Sequence, residues 1–561
     1  MKSRSTLRGA ALAAALVLTA ASAAPAVAAD VNGQGGGQHG PGKPGPGHGD
    51  HKPGKPGKPE DPGKPEKPGK PGKPDKPGRD QSAQLRKAVT EQNVFGHLAA
   101  LQRTAEANGG NRAAGTPGYE AGAAYIEGQL RRAGYDPVRQ YFSYDQYVLA
   151  GQELEQVEPN QQTYTAGTDY TAMSYSAAGE VTAAVVPVDI NLAGDRASTS
   201  GCEAADFAGF EAGSIALLQR GTCDFGTKVA NAAAAGAAAA VVFNQGNDVP
   251  GDDRFGLVNG TLGSELSAIP AVGATFALGE ELAGTPGAVL RLGVDASVRT
   301  VDTFNILSDT RQGDPGRQVV VGAHLDSVLE GPGINDNGSG SAAILETAIQ
   351  LQRSGNKFKL ENQVRFAFWG GEEDGLVGSD YYVSQLDQAG LDNTLLNLNF
   401  DMVGSPNFVR FVYDGDGDAF GTAGPTGSDV IEGVFNEYFA EQGLATAPTE
   451  FDGRSDYYGF INNGIPAGGL FTGAEGVKTA EEAALFGGTA GESYDPCYHS
   501  ACDDLTNINR QVLDEMSDAV AHATLTFAQT DADLRGGEPV GPSARSFAAE
   551  QPARQGHLWR R

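Results

Sequence analysis

The sequence predicts an α/β protein, a mixed central sheet flanked by helices, with a second, β-rich unit inserted into it. Three observations carry that prediction. From Thr303 onward, strand-like runs ("TFNILSDT", "QVVVGAHLD", "QVRFAFWG", "NLNFDMVG") alternate with helical segments, the pattern of a layered α/β domain. The runs Val319–Val321 and Val364–Phe368 are apolar or, with Arg365, nearly so, as strands covered on both faces are. Between about residues 146 and 300 the texture changes to short strand-like runs separated by Gly-rich turns.

The elements follow in order. Residues 1–29 carry Lys2, Arg4 and Arg8, then an apolar stretch, then small residues around Ala28, which reads as an export signal too short to span a bilayer. Residues 30–80, "VNGQGGGQHGPGKPGPGHGDHKPGKPGKPEDPGKPEKPGKPGKPDKPGRD" after Asp30, have almost no apolar side chain to bury. They are expected to be a disordered, extended linker, an inert spacer or a contact to cell wall or polymer. Collagen is excluded, since Glu60, Glu66 and Asp75 stand in the register where only Gly fits. "SAQLRKAVTEQNVFGHLAALQRTAEANGG" has helical periodicity ending at Gly109–Gly110, "GYEAGAAYIEGQLRRAGYD" is a second helix ending at Gly134, and "VRQYFSYDQYV" reads as a strand. In the insert, "VTAAVVPVDI", "SIALLQR", "AAAAVVFN" and "AIPAVGA" read as strands, with one helix over 228–236. Beyond it the helices are "SGSAAILETAIQLQRSG", "LVGSDYYVSQLDQAG" and a last one holding Asp514 and Asp518. The tail 536–561 is expected to be disordered. One split domain (81–145 and 301–535) thus encloses the insert (146–300).

Composition narrows the function. The formal charge is −29 and the first eighty residues are net basic, so the acidity lies in the folded body, which disfavours nucleic acid and anionic membranes as partners. Four cysteines allow three pairings. Cys202 with Cys223 and Cys497 with Cys502 are the local pairs, and an oxidising compartment lets both form.

The chemistry gathers at strand ends. Two of the body's four histidines, His97 and His522, sit inside helical patterns and read as packing or surface residues. "GAHLDSV" puts His324 and Asp326 two apart, on one face after a strand. Asp336 stands in a Gly- and Asn-rich loop opening a helix, Glu372 and Glu373 follow "FAFWG", Asp401 follows "NLNF", and His499 lies in "CYHSAC". Carboxylates clustered at strand ends repel one another unless a cation joins them. Two histidines and three carboxylates make up the ligands of two divalent metals sharing one bridging carboxylate, and imidazole with carboxylate suits zinc. Paired metals lower the pKa of a water and clamp a developing oxyanion. One glutamate of the doublet then ligates while its neighbour takes the proton. A serine hydrolase is excluded by the lack of a G-x-S-x-G elbow.

With "GAHLDSVLEGPGINDNGSGSAAILETA", "FAFWGGEEDGLVGSDYYV", "FDMVGS", "FDGRSDYYGFINNGIPAGGLFTGAE", "CYHSACDDLTNIN" and "NGGNRAAGTPGYEAGAAYIEGQL", the chain resembles the secreted co-catalytic dizinc aminopeptidases, especially the leucine-preferring Streptomyces type, over about 84–143 and 302–530. The insert, through "IALLQRGTCDFGTKVANAAAAGAAAAVVFNQ", resembles a protease-associated domain. The resemblance implies the zinc exopeptidase fold and two zinc sites, His324, Asp336 and Asp401 in one, Asp336, Glu373 and His499 in the other. It implies Glu372 as general base, Asp326 behind the His324 ring, Tyr498 on the oxyanion in a loop fixed by Cys497–Cys502, and Met402, Gly453, Arg454 and Phe471 around the first side chain. It also implies calcium on Asp514 and Asp518. The expected activity is removal of N-terminal, preferably apolar residues from peptides and proteins by a secreted monomer. A carboxypeptidase with the same centre and a non-catalytic binding protein are the alternatives.

Overall fold

The computed structural model describes residues 81–247, 254–263 and 265–536. The export signal, the linker and the tail beyond 536 lie outside them.

The chain opens with helices α1 (Ser82–Arg86), α2 (Glu91–Ala107) and α3 (Pro117–Ala133). The first predicted helix is two: the Thr90 hydroxyl accepts from the Asn93 amide and starts a new helix where periodicity alone reads through. α3 has Thr116 as its cap and Pro117 in its first turn, and it stops at Gly134 in the left-handed region. Strand β1 (Val138–Glu158) follows, then β2 (Gln162–Thr163), β3 (Tyr170–Ala172), β4 (Gly179–Pro187), β5 (Ile215–Gln219), α4 (Phe225–Ala234), β6 (Ala239–Phe243), β7 (Ala271–Ala274), α5 (Phe276–Ala283) and β8 (Val289–Asp309).

Both β1 and β8 are 21 residues long and pair antiparallel from Val138 opposite Leu307 to Glu158 opposite Val289. They run unbroken through residues 146 and 300, where the sequence texture changes. On its other edge β8 pairs with β4 near its start and with the main sheet near its end. One ribbon therefore serves two sheets. The insert's own sheet is β4-β5-β6-β7-β3, with β4 to β7 parallel and β3 antiparallel.

The remaining elements are β9 (Asp314–His324), α6 (Gly340–Arg353), β10 (Asn362–Trp369), α7 (Val377–Ser384), α8 (Gln388–Asn393), β11 (Thr394–Phe400), β12 (Phe411–Tyr413), α9 (Ser428–Glu441), β13 (Ala447–Thr449), α10 (Tyr458–Asn462), β14 (Ala467–Phe471), α11 (Ala480–Phe486) and α12 (Arg510–Gln529). The helix predicted over 376–390 is broken before α8, whose cap is the Asp387 carboxylate accepting from Gly390. The main sheet runs β13-β12-β14-β11-β9-β10-β8. Its centre, β14-β11-β9-β10, is parallel, while β8 and β12 add antiparallel. Both faces are covered. Val319 and Val321 pack with α6 and α12 in one core, and Val320, Ala367 and the fully buried Trp369 pack with α7 and α10 in another. This architecture is the mixed, helix-flanked sheet the sequence predicts. It also brings three parallel strand ends together, with Trp369 level with His324 and Asn399 level with Gly322.

Candidate metal centre

Three neighbouring strands deliver the site, each carrying an apolar stretch to its end and then a polar residue. β9 ends on His324, β10 runs into Glu372 and Glu373, and β11 into Asp401. Asp336 comes from the turn before α6 and His499 from the loop before α12. Ligands in open α/β sheets collect at such carboxyl ends.

Asp336 is the hub. Its Oδ1 is 3.2 Å from His324 Nε2 and its Oδ2 is 3.2 Å from His499 Nε2, so the carboxylate offers one oxygen to each imidazole. Asp401 Oδ1 is 3.3 Å from His324 Nε2, and Glu373 Oε2 is 2.9 Å from His499 Nε2. Two ligand groups result, His324 with Asp336 and Asp401, and Asp336 with Glu373 and His499. Glu372 belongs to neither, and its Oε2 is 3.8 Å from His324 Nε2.

The donor set fits a pair of metals. His324 is 1% exposed, and neither of its ring nitrogens nor Asp401 Oδ1 makes a hydrogen bond despite their closeness. Buried polar atoms left in this way need a partner, and lone pairs converging from imidazole and carboxylate suit a divalent cation. Charge agrees. Burial pulls both imidazoles down, but the surrounding acids override it: Asp401 and Glu372 hold His324 well above its ordinary pKa, and Glu373 and Asp336 lift His499 to about 11. Burial opposes ionisation of Asp336, yet its two histidines hold it below the usual carboxylate range. Burial raises Glu372 and Glu373, and neighbouring acids add to it.

A second layer of contacts fixes these groups. Asp326 Oδ1 lies 3.6 Å from His324 Nδ1, and its two oxygens accept the amides of Glu372 (3.3 Å) and Glu373 (3.2 Å). Ser455 Oγ donates to Asp401 Oδ2 at 2.6 Å. Asp503 accepts the amides of Asn335 and Asp336 at 2.8 and 3.0 Å, and burial pushes its carboxyl up to about 7. Fully buried Arg112 donates to the carbonyls of Leu325, Pro332 and Gly333, tying together the loop from His324 to Asp336. Among these, Arg112, Ser455 and Asp503 were not singled out from the sequence. Asp503 adjoins Cys502 in the quoted "CYHSACDD", and Arg112 and Ser455 stand in two other quoted stretches, but only the fold shows what they touch.

The centre opens into a cavity of about 280 Å³. Met402, Phe471, Arg454 and Tyr498 line it as expected, together with Phe411 and Tyr413. Gly453 is not part of the lining: it sits behind the wall, its amide donating to the Tyr457 hydroxyl. Tyr498 stacks on His499 (ring centroids 3.8 Å apart), and its hydroxyl accepts from Arg454 Nη2 at 3.2 Å, which leaves its own proton to donate. Arg454 Nη1 donates to Glu475 at 2.9 Å. Met402 and His499 are both in the left-handed region (φ 48° and 52°), unusual for such side chains and commonest at functional sites.

Both predicted disulfides are formed, Cys202–Cys223 in the insert and Cys497–Cys502 around Tyr498 and His499. Asp514 and Asp518 do share a face of α12, with Glu91 beside Asp514, but among the described residues they are in no group of three acids whose ligand oxygens all lie within 4.8 Å of one another, and Arg86 lies 3.9 Å from Asp518. A separate acidic group, Asp414, Asp416 and Glu432, lies beyond β12. His97 pairs with Tyr125 and Glu346, and His522 with Ser82, away from the site.

Comparison with known proteins agrees with this geometry. Residues 305–524 match the model of "Peptidase family M28", and residues 181–282 match the "PA domain". An aminopeptidase of Pseudomonas aeruginosa is 51% identical over 442 residues, covering 78% of this chain and 81% of that protein. A probable leucine aminopeptidase 2 of Aspergillus fumigatus is 43% identical over 75% of this chain and 80% of its own. Among solved structures, the aminopeptidase from Aneurinibacillus sp. strain AM-1 superposes with a TM-score of 0.63 at 27% identity, covering 81% of this chain and 97% of that one. The family match spans β9 to α12, the stretch that supplies both histidines and all the clustered acids, and the chain belongs to peptidase family M28, with an inserted PA domain.

Proposed function

We propose that this chain is an exported dizinc aminopeptidase that removes N-terminal residues, apolar ones preferentially, from peptides and proteins. The observation that carries the reading is the Asp336 carboxylate, with one oxygen 3.2 Å from each of two histidines. His324, Asp336 and Asp401 would hold one zinc, and Asp336, Glu373 and His499 the other. When bound, the pair supplies Lewis acidity and brings the pKa of a water toward neutrality.

The chain's own groups do the rest. Glu372, in neither ligand group, takes the proton from the attacking water and returns it to the leaving amine. The Tyr498 hydroxyl, held by Arg454, donates to the developing oxyanion. Cys497–Cys502 restrains the loop bearing Tyr498 and His499. Phe411, Phe471 and Met402 make the wall against which an apolar first side chain packs, and Glu450, Asp452 and Glu475 add negative charge to the cavity, favouring a free α-amine. Arg454, already engaged by Glu475 and Tyr498, is poorly placed to receive a C-terminal carboxylate, which argues against a carboxypeptidase. Calcium on Asp514 and Asp518 would need further oxygens from backbone or water. One relative, a probable lipoprotein aminopeptidase of Mycobacterium tuberculosis, and two disulfides suit an exported protein.

The test is hydrolysis of leucine p-nitroanilide beside its N-acetylated form, before chelation and after zinc is restored. Cleavage of the free-amine substrate alone, lost on chelation and recovered with zinc, is expected. Cleavage of neither by protein with two zinc ions bound would overturn the reading.

A further inference from the structure

Asp374 directly follows the two glutamates, yet its carboxylate is turned away from the metal cluster and is used by another part of the molecule. Its Oδ1 accepts from Gln146 Nε2 at 2.7 Å, and its Oδ2 accepts from the Tyr144 hydroxyl. The Gln146 amide is itself oriented, because its oxygen accepts from Arg299 Nε at 2.6 Å. Gln146 is buried, and Arg299 is its register partner on the opposite strand. A Cβ added at Gly371 would stand 3.4 Å from the Tyr144 ring, so the loop passes beside that ring.

Residues 371–374 are therefore gripped from two sides. Asp326 holds the amides of Glu372 and Glu373 from the loop after β9, and Tyr144 and Gln146 hold Asp374 from the ribbon. Tyr144 and Gln146 belong to β1 and Arg299 to β8, the two 21-residue strands that continue into the PA domain. The inserted domain is thus linked to the segment bearing Glu372 and Glu373 through two paired strands and one carboxylate. A small shift of the ribbon would move the segment bearing Glu372, and misplacement of a reacting group by about 1 Å can cost on the order of 10²-fold in rate.

We propose that Asp374 is a positioning residue: with Tyr144 and Gln146 it sets the place of Glu372, and it makes turnover depend on the ribbon from which the PA domain extends. The proposal rests on Glu372 acting as the general base. It needs no change in the metal ligands and none in the cavity wall, so its signature is a loss of kcat at near-constant KM and constant zinc content.

The experiment uses the full chain with leucine p-nitroanilide and measures kcat, KM, bound zinc and Tm for Asp374→Ala, Asp374→Asn, Tyr144→Phe with Gln146→Leu, and the combination of Asp374→Ala with that pair. Asp374→Ala is expected to lower kcat by about 10- to 100-fold with KM within about twofold and two zinc ions retained. Asp374→Asn, which keeps an acceptor oxygen, recovers part of the loss, and the combined variant is no slower than Asp374→Ala because all act through one contact. Full activity in both Asp374→Ala and the Tyr144→Phe, Gln146→Leu pair would overturn the proposal, as would a loss that only tracks lost zinc or appears only in KM. Glu372→Gln measured alongside separates the two readings. If it stays active, the base assignment fails and the positioning role fails with it; if it is inactive while the clamp variants are fully active, the positioning role alone fails.

Discussion

The molecule contains two mixed sheets whose parallel strands end alike in outline and differ in one respect. In the PA domain, β5 and β6 end in Gln219, Arg220, Asn244 and Gln245, and these side chains satisfy one another and the nearby backbone: Gln219 donates to the carbonyls of Asn191 and Gln245, and Arg220 to Asn244. In the peptidase domain, β9, β10 and β11 end in imidazole and carboxylates, and His324 and Asp401 keep buried atoms with no hydrogen bond. A strand end can thus be closed off by polar groups that satisfy one another or left chemically open. The open one holds the site.

The comparison can be broken first at the open end. Glu372→Gln is expected to lower kcat by about 10³-fold while both zinc ions stay bound, since the residue belongs to neither ligand group. Steady-state kinetics with metal analysis checks it; loss of zinc would mean that the glutamates are exchanged in role. The closed end should respond in stability and not in chemistry. Leu217, fully buried in β5, is expected to cost about 2–5 kcal/mol when changed to Ala, with kcat per folded molecule unchanged. Denaturant unfolding beside active-site titration decides that. The disulfides sharpen the contrast. Replacing Cys497 and Cys502 by Ser should reduce kcat with a small change in Tm, since their loop is short and carries His499, whereas replacing Cys202 and Cys223 should lower Tm and leave kcat in place.

The smallest effect concerns Lys228, fully buried in α4, whose ammonium donates to the Ser200 carbonyl at 2.5 Å. Burial brings its pKa down to about 8, below the unfolded value near 10.4. Between those values the unfolded chain binds more protons, so stability rises with pH there, and the cost of burying the charge is felt in full below about pH 8. Lys228→Met is expected to raise Tm by a few degrees at neutral pH and to remove that rise. Parallel melting curves for wild type and variant from pH 7 to 10 would contradict it.

Much of the site is legible in the sequence because charged residues break the ends of apolar runs: His324 after "VVVGA", the glutamate pair after "FAFWG", Asp401 after "NLNF". That pattern identifies strand ends and chemistry together. The residues that hold the ligands are harder to see. Asp503 reaches Asn335 and Asp336 through backbone amides, and Arg112 reaches three carbonyls more than 200 positions away, contacts that depend on no side-chain pattern. The ribbon is hidden for another reason. β1 and β8 stay paired to their ends, but they cross a shift in composition that reads as a boundary. Short strands such as β12 and β14 lack enough residues to show a period, so the far wall of the cavity, with Phe411, emerges only in the fold.

The most direct test of a dinuclear centre bridged by Asp336 is anomalous X-ray scattering at the zinc edge from crystals of the zinc-loaded protein. Two peaks are predicted, one among His324, Asp336 and Asp401 and one among Asp336, Glu373 and His499. A single peak, or two that do not share Asp336, would contradict the bridged centre.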